Sequence, residues 1–312
     1  MPLDATPRSI VLDWGTSSFR AFLVDAAGLV IERVETQDGI KSVAQGGFEA
    51  VLARAIASWR AAHGLIPVIA AGMIGSRNGW VEMPYVETPA GLAEIAGKAG
   101  RIGLADGGDM LFIPGLTDLS ATPFPDVMRG EETQLAGLGL GRDLTAVLPG
   151  THCKWVRIER SRIARFRTFV TGEVFETLSR HSFIAQMVKP VAEPDWQAFC
   201  QGLDAAQDPA SPGLLGRLFS VRTGWLAGAL APEQAGDYLS GLILGTELRE
   251  VVALGWLEAG EEVAIIGGEG LVERYCRAAS AFGLAPRPGP PDAALKGALA
   301  IAALTGRTAH AS

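Results

Sequence analysis

Apolar and polar positions alternate along this chain in blocks, and the blocks recur. From Ser9 to Val34 an apolar run, IVLDWG, meets a Gly/Thr/Ser turn; a second run, RAFLVD, follows, then the turn AAG and a third run, LVIERV. This pattern predicts three consecutive antiparallel strands. GGFEAVLARAIASWRAAHG has apolar residues at helical spacing and PVIAAGM behind it reads as a buried strand, so an α/β layered domain opens with a meander. Around Thr145 the order returns: AVLPG, the polar turn THCK, WVRIE, the turn RSRI and ARFRTFV predict a second meander. Mostly helices follow, among them PEQAGDYLSGLILGTELREVVALG, then a short strand EEVAIIGG, the helix LVERYCRAASAFG and a last helix DAALKGALAIAALTG. Two domains that each begin with a Gly-Thr-turn meander argue for duplication of one βββαβα unit around a cleft. The stretch PGLTDLSATPFPDVMRG, rich in Pro and turn formers, is the expected boundary, placed near Gly115, which gives domains 1–115 and 116–312.

Composition narrows the classes. With 312 residues, 48% hydrophobic and 20% charged, the chain has enough apolar material for two cores. A formal net charge of −7 without a basic block gives no electrostatic support for a nucleic-acid or membrane partner, while a small anionic substrate needs only local Arg or Lys. Cys153, Cys200 and Cys276 are odd in number and far apart, so they read as reduced thiols of a cytoplasmic protein rather than a zinc site or disulfide framework. The first residues show neither a signal peptide nor a lipidation motif, and apolar runs fall short of the ~20 residues of a membrane span.

Candidate chemistry sits in the turns. In Asp13-Trp14-Gly15-Thr16-Ser17-Ser18-Phe19-Arg20 a glycine and successive hydroxyls present N–H and O–H donors in one direction, as phosphate oxygens require. Asp13 could hold a hydrated Mg2+ and Arg20 could neutralise a transferring phosphoryl group. Taken alone, such a motif also describes an ordinary hairpin turn that bonds its own backbone. Gly150 and Thr151 occupy the equivalent place in the second meander, and two such turns are far rarer by chance than one. His152 and Lys154 beside them read as a structural histidine and a solvated charge. In Arg129-Gly130-Glu131-Glu132 a helix opens on carboxylates; either Glu could be a dipole-stabilising acid or the acceptor of a sugar hydroxyl proton, and Arg129 could bind a substrate carboxylate. Gly267 and Gly268, at a strand end, let a flat ring approach the backbone, or else serve helix packing. Ser76, Arg77, Asn78, Trp80 and Tyr85 follow a buried strand and offer hydrogen bonds and an apolar surface to a sugar, or anchor a long surface loop. No Walker loop is present, and GLGLGR lacks the preceding strand of a dinucleotide fingerprint, so its glycines are assigned to helix packing or termination.

Together, LDWGTSSFRAFLVD, AGMIGSRNGW with PY, MRGEETQLAG, LPGTHCKW, TFVTGE and the late Gly-Gly turn resemble the 2-dehydro-3-deoxygalactonokinase family in order and spacing over nearly the whole chain. More distantly the turns resemble the sugar-kinase, heat-shock-protein and actin superfamily, whose fold is two ribonuclease-H-like domains around an ATP cleft. The resemblance implies transfer of the ATP γ-phosphate to the 6-hydroxyl of 2-dehydro-3-deoxy-D-galactonate in galactonate catabolism, with ATP and Mg2+ as cofactors. It implies that Asp13, Gly15, Thr16 and Arg20 belong to the first phosphate motif, Gly150 and Thr151 to the second, and Gly267 and Gly268 to the adenosine motif. Glu131 sits where related carbohydrate kinases place a catalytic Asp just after a Gly, with Glu132 the substitute one residue on. The competing readings are a kinase for another sugar acid or sugar and, in a different class, a nucleotide-gated sugar-binding regulatory protein.

Overall fold

The structure, a computed structural model, describes residues 6–210 and 213–308. Its elements begin with strands β1 (Pro7–Trp14), β2 (Phe19–Asp25) and β3 (Val30–Thr36), helices α1 (Phe48–Ala55) and α2 (Ala57–His63), and β4 (Val68–Ala71). There follow β5 (Tyr85–Glu87), α3 (Leu92–Gly97), β6 (Gly100–Gly103), β7 (Asp109–Phe112), β8 (Gly115–Asp118), β9 (Asp126–Met128) and α4 (Glu131–Leu138). Strands β10 (Leu144–Leu148), β11 (Cys153–Glu159) and β12 (Arg162–Phe169) lead to α5 (Thr171–His181), α6 (Trp196–Gln207), α7 (Leu214–Leu218), α8 (Ser220–Leu226) and α9 (Ala235–Ala253). The chain continues with β13 (Glu262–Ile265), α10 (Glu269–Ala281), β14 (Ala285–Pro288) and α11 (Ala293–Thr308).

Both expected meanders are present. One sheet has the order β3-β2-β1-β4-β7-β6, with β1, β2 and β3 antiparallel and β1, β4 and β7 parallel. Another has the order β12-β11-β10-β13-β14, with β10, β13 and β14 parallel. Each places the first strand of its meander beside a later parallel strand, the ribonuclease-H-like order, and the α/β class with two such sheets agrees with the sequence reading. Parallel central strands are covered on both faces, which is why VIAA in β4 and LTAVL in β10 are buried at every position. Along β1 and β2 the period of two sends Ile10, Leu12, Trp14, Phe19, Ala21 and Leu23 into one core, where Trp14 meets Phe19 and Phe48 edge-on. In the second core Val147, Trp155, Val263 and Ile265 pack against Phe199, Leu203, Leu244 and Leu248. The helix expected over 46–64 kinks at Ile56, through which main-chain bonds from Ile56 to Leu52 and from Arg60 to Ile56 continue.

The described residues divide into two compact units: those of Met1–Asp143, Ile158–Phe166 and Asp292–Ser312, and those of Leu144–Arg157 and Arg167–Pro291. This division differs from the one placed near Gly115 by the segments 116–143 and 158–166 and by the last helix. The Pro- and turn-rich stretch read as a linker supplies β8 and β9, which pair with β5 in a three-stranded sheet of the first unit. A Cβ on Gly115 would lie 2.4 Å from the Met128 carbonyl oxygen and 2.9 Å from the Tyr85 ring, so glycine there serves close packing rather than a flexible joint. Helix α11 joins α4 through two glycines: a Cβ on Gly137 would lie 1.9 Å from the Ala293 carbonyl oxygen, and one on Gly297 1.7 Å from that of Thr133.

Candidate active site

The first unit gathers its polar groups at the C-terminal ends of β1 and β4. Asp13 and Arg20 are register partners across the β1/β2 pair, and the Arg20 guanidinium donates to Asp13 Oδ2 at 3.2 Å and to Glu35 Oε1 at 2.9 Å. Desolvation by the surrounding protein lifts the Asp13 carboxyl above the usual range against the pull of Arg20, although 37% of its side chain reaches solvent. Just beyond it, Gly15 N–H donates to the Ser18 carbonyl at 2.9 Å and closes the turn. Among the described residues no acceptor takes the N–H groups of Thr16, Ser17 or Ser18. The turn rests on a second segment, since the Gly15 and Thr16 carbonyls accept from Ile40 and Lys41 at 3.0 and 3.1 Å. A Cβ on Gly39 would sit 2.3 Å from the Ser17 backbone, so only glycine fits beneath it.

Two further glycines bring the carboxylate-rich helix to this strand end. Gly72, at φ 92°, directs its missing Cβ at the Trp14 carbonyl oxygen, 2.9 Å away, and Gly130, at φ 106°, directs its own at the Gly72 Cα, 3.3 Å away. Helix α4 therefore starts beside the Asp13 strand. Its first two side chains fold back: Glu131 Oε2 accepts from Arg129 N–H at 3.0 Å, and Glu132 Oε2 accepts from Gly130 N–H at 2.7 Å. Glu132 is 0% exposed and its Oε1 has no partner among the described residues. Burial pushes its carboxyl up to about 8, reinforced by the Glu131 charge and opposed by the backbone donors and Arg129.

Arg129 is buried with its Nη2 donating to the Met83 carbonyl at 2.8 Å and its guanidinium 4.4 Å from the Tyr85 ring centroid, while Nε and Nη1 lack partners among the described residues. Ser76 Oγ, on the loop after Gly75, is likewise buried and unpartnered, and a Cβ on Gly75 would lie 3.3 Å from Arg129 Nη1. Buried polar atoms are nearly always paired in folded proteins. Four of them in Ser76, Arg129 and Glu132, beside a half-exposed Tyr85, mark a place built for a polar guest. Of the remaining loop residues, Trp80 packs edge-on against Phe112 at 6.3 Å, next to the core, and Arg77 and Asn78 are exposed.

In the second unit β10 and β13 run parallel, and both end on glycine-bearing turns. Gly150 and Thr151 follow β10; nothing crowds Gly150, and Thr151 is exposed. Gly172, at the start of α5, supports them, because a Cβ there would meet the Gly150 carbonyl oxygen at 2.4 Å, and Glu173 N–H donates to the Thr151 carbonyl at 3.0 Å. His152 pairs with Glu173 at 2.7 Å in solvent. A Cβ on Gly267 would lie 3.5 Å from the Pro149 carbonyl oxygen, an ordinary contact, and Gly268 is the N-cap of α10 with open space around it. The Gly150–Thr151 turn and the Gly267–Gly268 turn thus share one sheet edge. That edge combines an uncrowded backbone with a helix N-terminus, an arrangement suited to anions.

A family model for 2-keto-3-deoxy-galactonokinase matches residues 13–301 of this chain. The chain belongs to the 2-keto-3-deoxy-galactonokinase family. Within it, a Rhizobium meliloti (strain 1021) protein named "Probable 2-dehydro-3-deoxygalactonokinase DgoK1" is 40% identical over 303 residues, covering 94% of this chain and 95% of that one. The Escherichia coli (strain K12) 2-dehydro-3-deoxygalactonokinase is 36% identical over 282 residues, 89% of this chain and 91% of that one. Among solved structures, a Sinorhizobium meliloti protein described as a 2-dehydro-3-deoxygalactonokinase superposes with a TM-score of 0.85 at 37% identity, covering 97% of this chain and all of the other. A 2-keto-3-deoxy-galactonokinase is a carbohydrate kinase acting on a small sugar acid, as the motifs implied. Among the described residues no helix is long and apolar enough to cross a membrane. Sequence reasoning passed over Gly39, Gly72 and the role of Gly172, whose signal was a lone glycine following each turn by some twenty residues or closing a strand. It also passed over Glu247, a single acid in the apolar run GLILGTEL.

Proposed function

We propose that this protein transfers the γ-phosphate of ATP to the 6-hydroxyl of 2-dehydro-3-deoxy-D-galactonate. Family membership supports the reaction class, and Arg129 Nε and Nη1, buried and without partners among the described residues beside the α4 carboxylates, are the observation that carries the substrate class: buried donors of this kind match a substrate carboxylate. Arg129 and Ser76 bind the acid end, with Tyr85 as an apolar wall. Glu131 accepts the hydroxyl proton. The neighbouring Glu132 retains its own proton because burial and the Glu131 charge both oppose ionisation. As the hydroxyl oxygen bonds to phosphorus, the bond to the bridging oxygen breaks and ADP departs with the electron pair. Gly15 closes the first turn, in which Thr16, Ser17 and Ser18 offer main-chain N–H groups to phosphate oxygens, and Arg20 offers positive charge. Within the second unit, Gly150 and Thr151 offer main-chain N–H groups to phosphate, and Gly267 and Gly268 admit the adenosine.

Mg2+ fits the donor set at Asp13. A magnesium ion characteristically keeps several waters and takes one or two carboxylates with substrate phosphates, and Asp13 offers one part-exposed oxygen not engaged by Arg20. When bound it would supply charge neutralisation to the phosphates. We also place the protein in the cytoplasm, a reading supported by Cys153, Cys200 and Cys276 all being free thiols.

The test is ADP release with Mg-ATP across 2-dehydro-3-deoxygalactonate, its gluconate epimer and plain hexoses. Turnover selective for the galactonate compound supports the proposal, turnover selective for another sugar acid replaces the substrate, and no stimulation by any sugar favours a regulatory protein. Glu131→Gln is expected to lower kcat about 10²–10⁴-fold; near-parental turnover would transfer the base to Glu132.

A further inference from the structure

Behind the second phosphate turn lies a carboxylate that none of the motifs includes. Glu247, on α9, is 3% exposed, yet it accepts from four side chains on three other elements. On β11, Cys153 Sγ donates to its Oε1 at 3.1 Å and Trp155 Nε1 at 2.5 Å. Thr171 Oγ1, at the first position of α5, donates to Oε2, and Tyr275 Oη, on α10, reaches both oxygens at 2.9 and 3.2 Å. An ionised carboxylate has about four acceptor positions, and indole N–H can only donate, so four donors suit the charged form. Burial raises the Glu247 carboxyl and these donors oppose the rise.

The elements it ties together are those that carry the nucleotide-facing turns. Thr171 adjoins Gly172, on which the Gly150 carbonyl rests, and Glu173 N–H holds the Thr151 carbonyl. Cys153 begins the strand that leaves the Thr151 turn, and Tyr275 lies on the helix capped by Gly268. A buried charge satisfied only by neutral donors is a costly feature for a helix that apolar residues could pack equally well.

We infer that Glu247 is a positioning residue for nucleotide binding, fixing the Gly150–Thr151 turn through Thr171 and the Gly267–Gly268 turn through Tyr275. The inference rests on the reading that these turns hold ATP, and a separate variant tests that reading. Gly150→Val fills the uncrowded face of the turn without touching Glu247 and is expected to weaken ATP binding, measured by calorimetry, at least tenfold; unchanged ATP affinity would remove the nucleotide reading itself. Thr171→Val cuts one link while keeping volume. It is expected to raise KM for ATP about tenfold, with kcat and KM for the sugar acid within about twofold, and Thr171→Ser is expected to restore the parental value. Glu247→Gln keeps one acceptor for Trp155 and can donate to the hydroxyls of Thr171 and Tyr275; it is expected to shift KM for ATP less than Glu247→Ala. If Gly150→Val weakens ATP binding while Thr171→Val leaves KM for ATP at the parental value, or shifts both KM values and the melting temperature alike, the positioning role is overturned.

Discussion

The two turns proposed to hold phosphate have the same frame and different contents. Asp13-Trp14-Gly15-Thr16 and Leu148-Pro149-Gly150-Thr151 each leave the central strand of a sheet, each lean on an outside glycine, Gly39 or Gly172, and each have a strand-end glycine close by, Gly72 or Gly267. Where the first has Asp13 and, seven residues on, Arg20, the second has Leu148 and Trp155. The first pair is ionised and partly solvated, while the second is apolar and buried in the core. A backbone cradle therefore needs no charge of its own, since glycine and a hydroxyl residue suffice for anion-directed N–H groups. The charge in the first turn is an addition, and an addition that costs solvation calls for a task such as holding a cation or meeting a transferring phosphoryl group.

Exchanging one variable at a time sharpens that contrast. Asp13→Asn is expected to lower kcat about 10²–10³-fold with little change in melting temperature; its positional counterpart Leu148→Ala should do the reverse, losing about 2–5 kcal/mol of stability in chemical denaturation. A modest kcat effect for Asp13→Asn would reduce the first turn to a second copy of the plain cradle. Glu132 and Glu247 extend the contrast to buried acids, one with an unpartnered oxygen and one with four donors. Folded Glu132 keeps its proton up to about 8, whereas the unfolded side chain loses it near 4.5. Its contribution to stability is therefore complete below the unfolded value and is drained as pH rises from 4.5 towards 8. Glu132→Gln escapes this loss, so denaturation curves should show it gaining on the parent by about 2–4 kcal/mol between acidic conditions and pH 8. Next in size, Gly39→Ala and Gly172→Ala should each cost about 1–3 kcal/mol and raise KM for ATP, because either methyl group displaces a turn. The smallest effect on stability is expected for Arg20→Met, whose half-exposed ion pairs contribute under about 1 kcal/mol; its kcat should nevertheless fall, and an unchanged kcat would remove Arg20 from the reaction.

The sheets were legible in the sequence because strand alternation and turn chemistry are local signals: IVLDWG–RAFLVD–LVIERV and its later counterpart announced both meanders. Helix α4 was legible from its opening acids, and the packing role of the GLGLGR glycines from the missing strand before them. Proximity was harder to read. Nothing local tells that Gly130 abuts Gly72, that Arg129 reaches the Met83 carbonyl forty-six residues upstream, or that Glu247 collects donors from Cys153 and Tyr275. Such pairings are set by how sheets and helices stack, and they leave in the sequence only a glycine or a solitary acid without local explanation. The stretch before Arg129 misled for a related reason. Prolines and turn formers describe short strands of a small sheet as well as they describe a linker.

The seam between α4 and α11 bears on the order in which the protein is made. A ribosome delivers α4, with both acids of the candidate site, roughly 150 residues before the helix that covers it; at about 5–20 residues per second this is an interval on the order of ten seconds or more. Until then Gly137 and Thr133 lack the backbone they interlock with. The first unit to begin is the last to be finished, so a nascent chain that stalls before Asp292 presents the notched face of α4 uncovered.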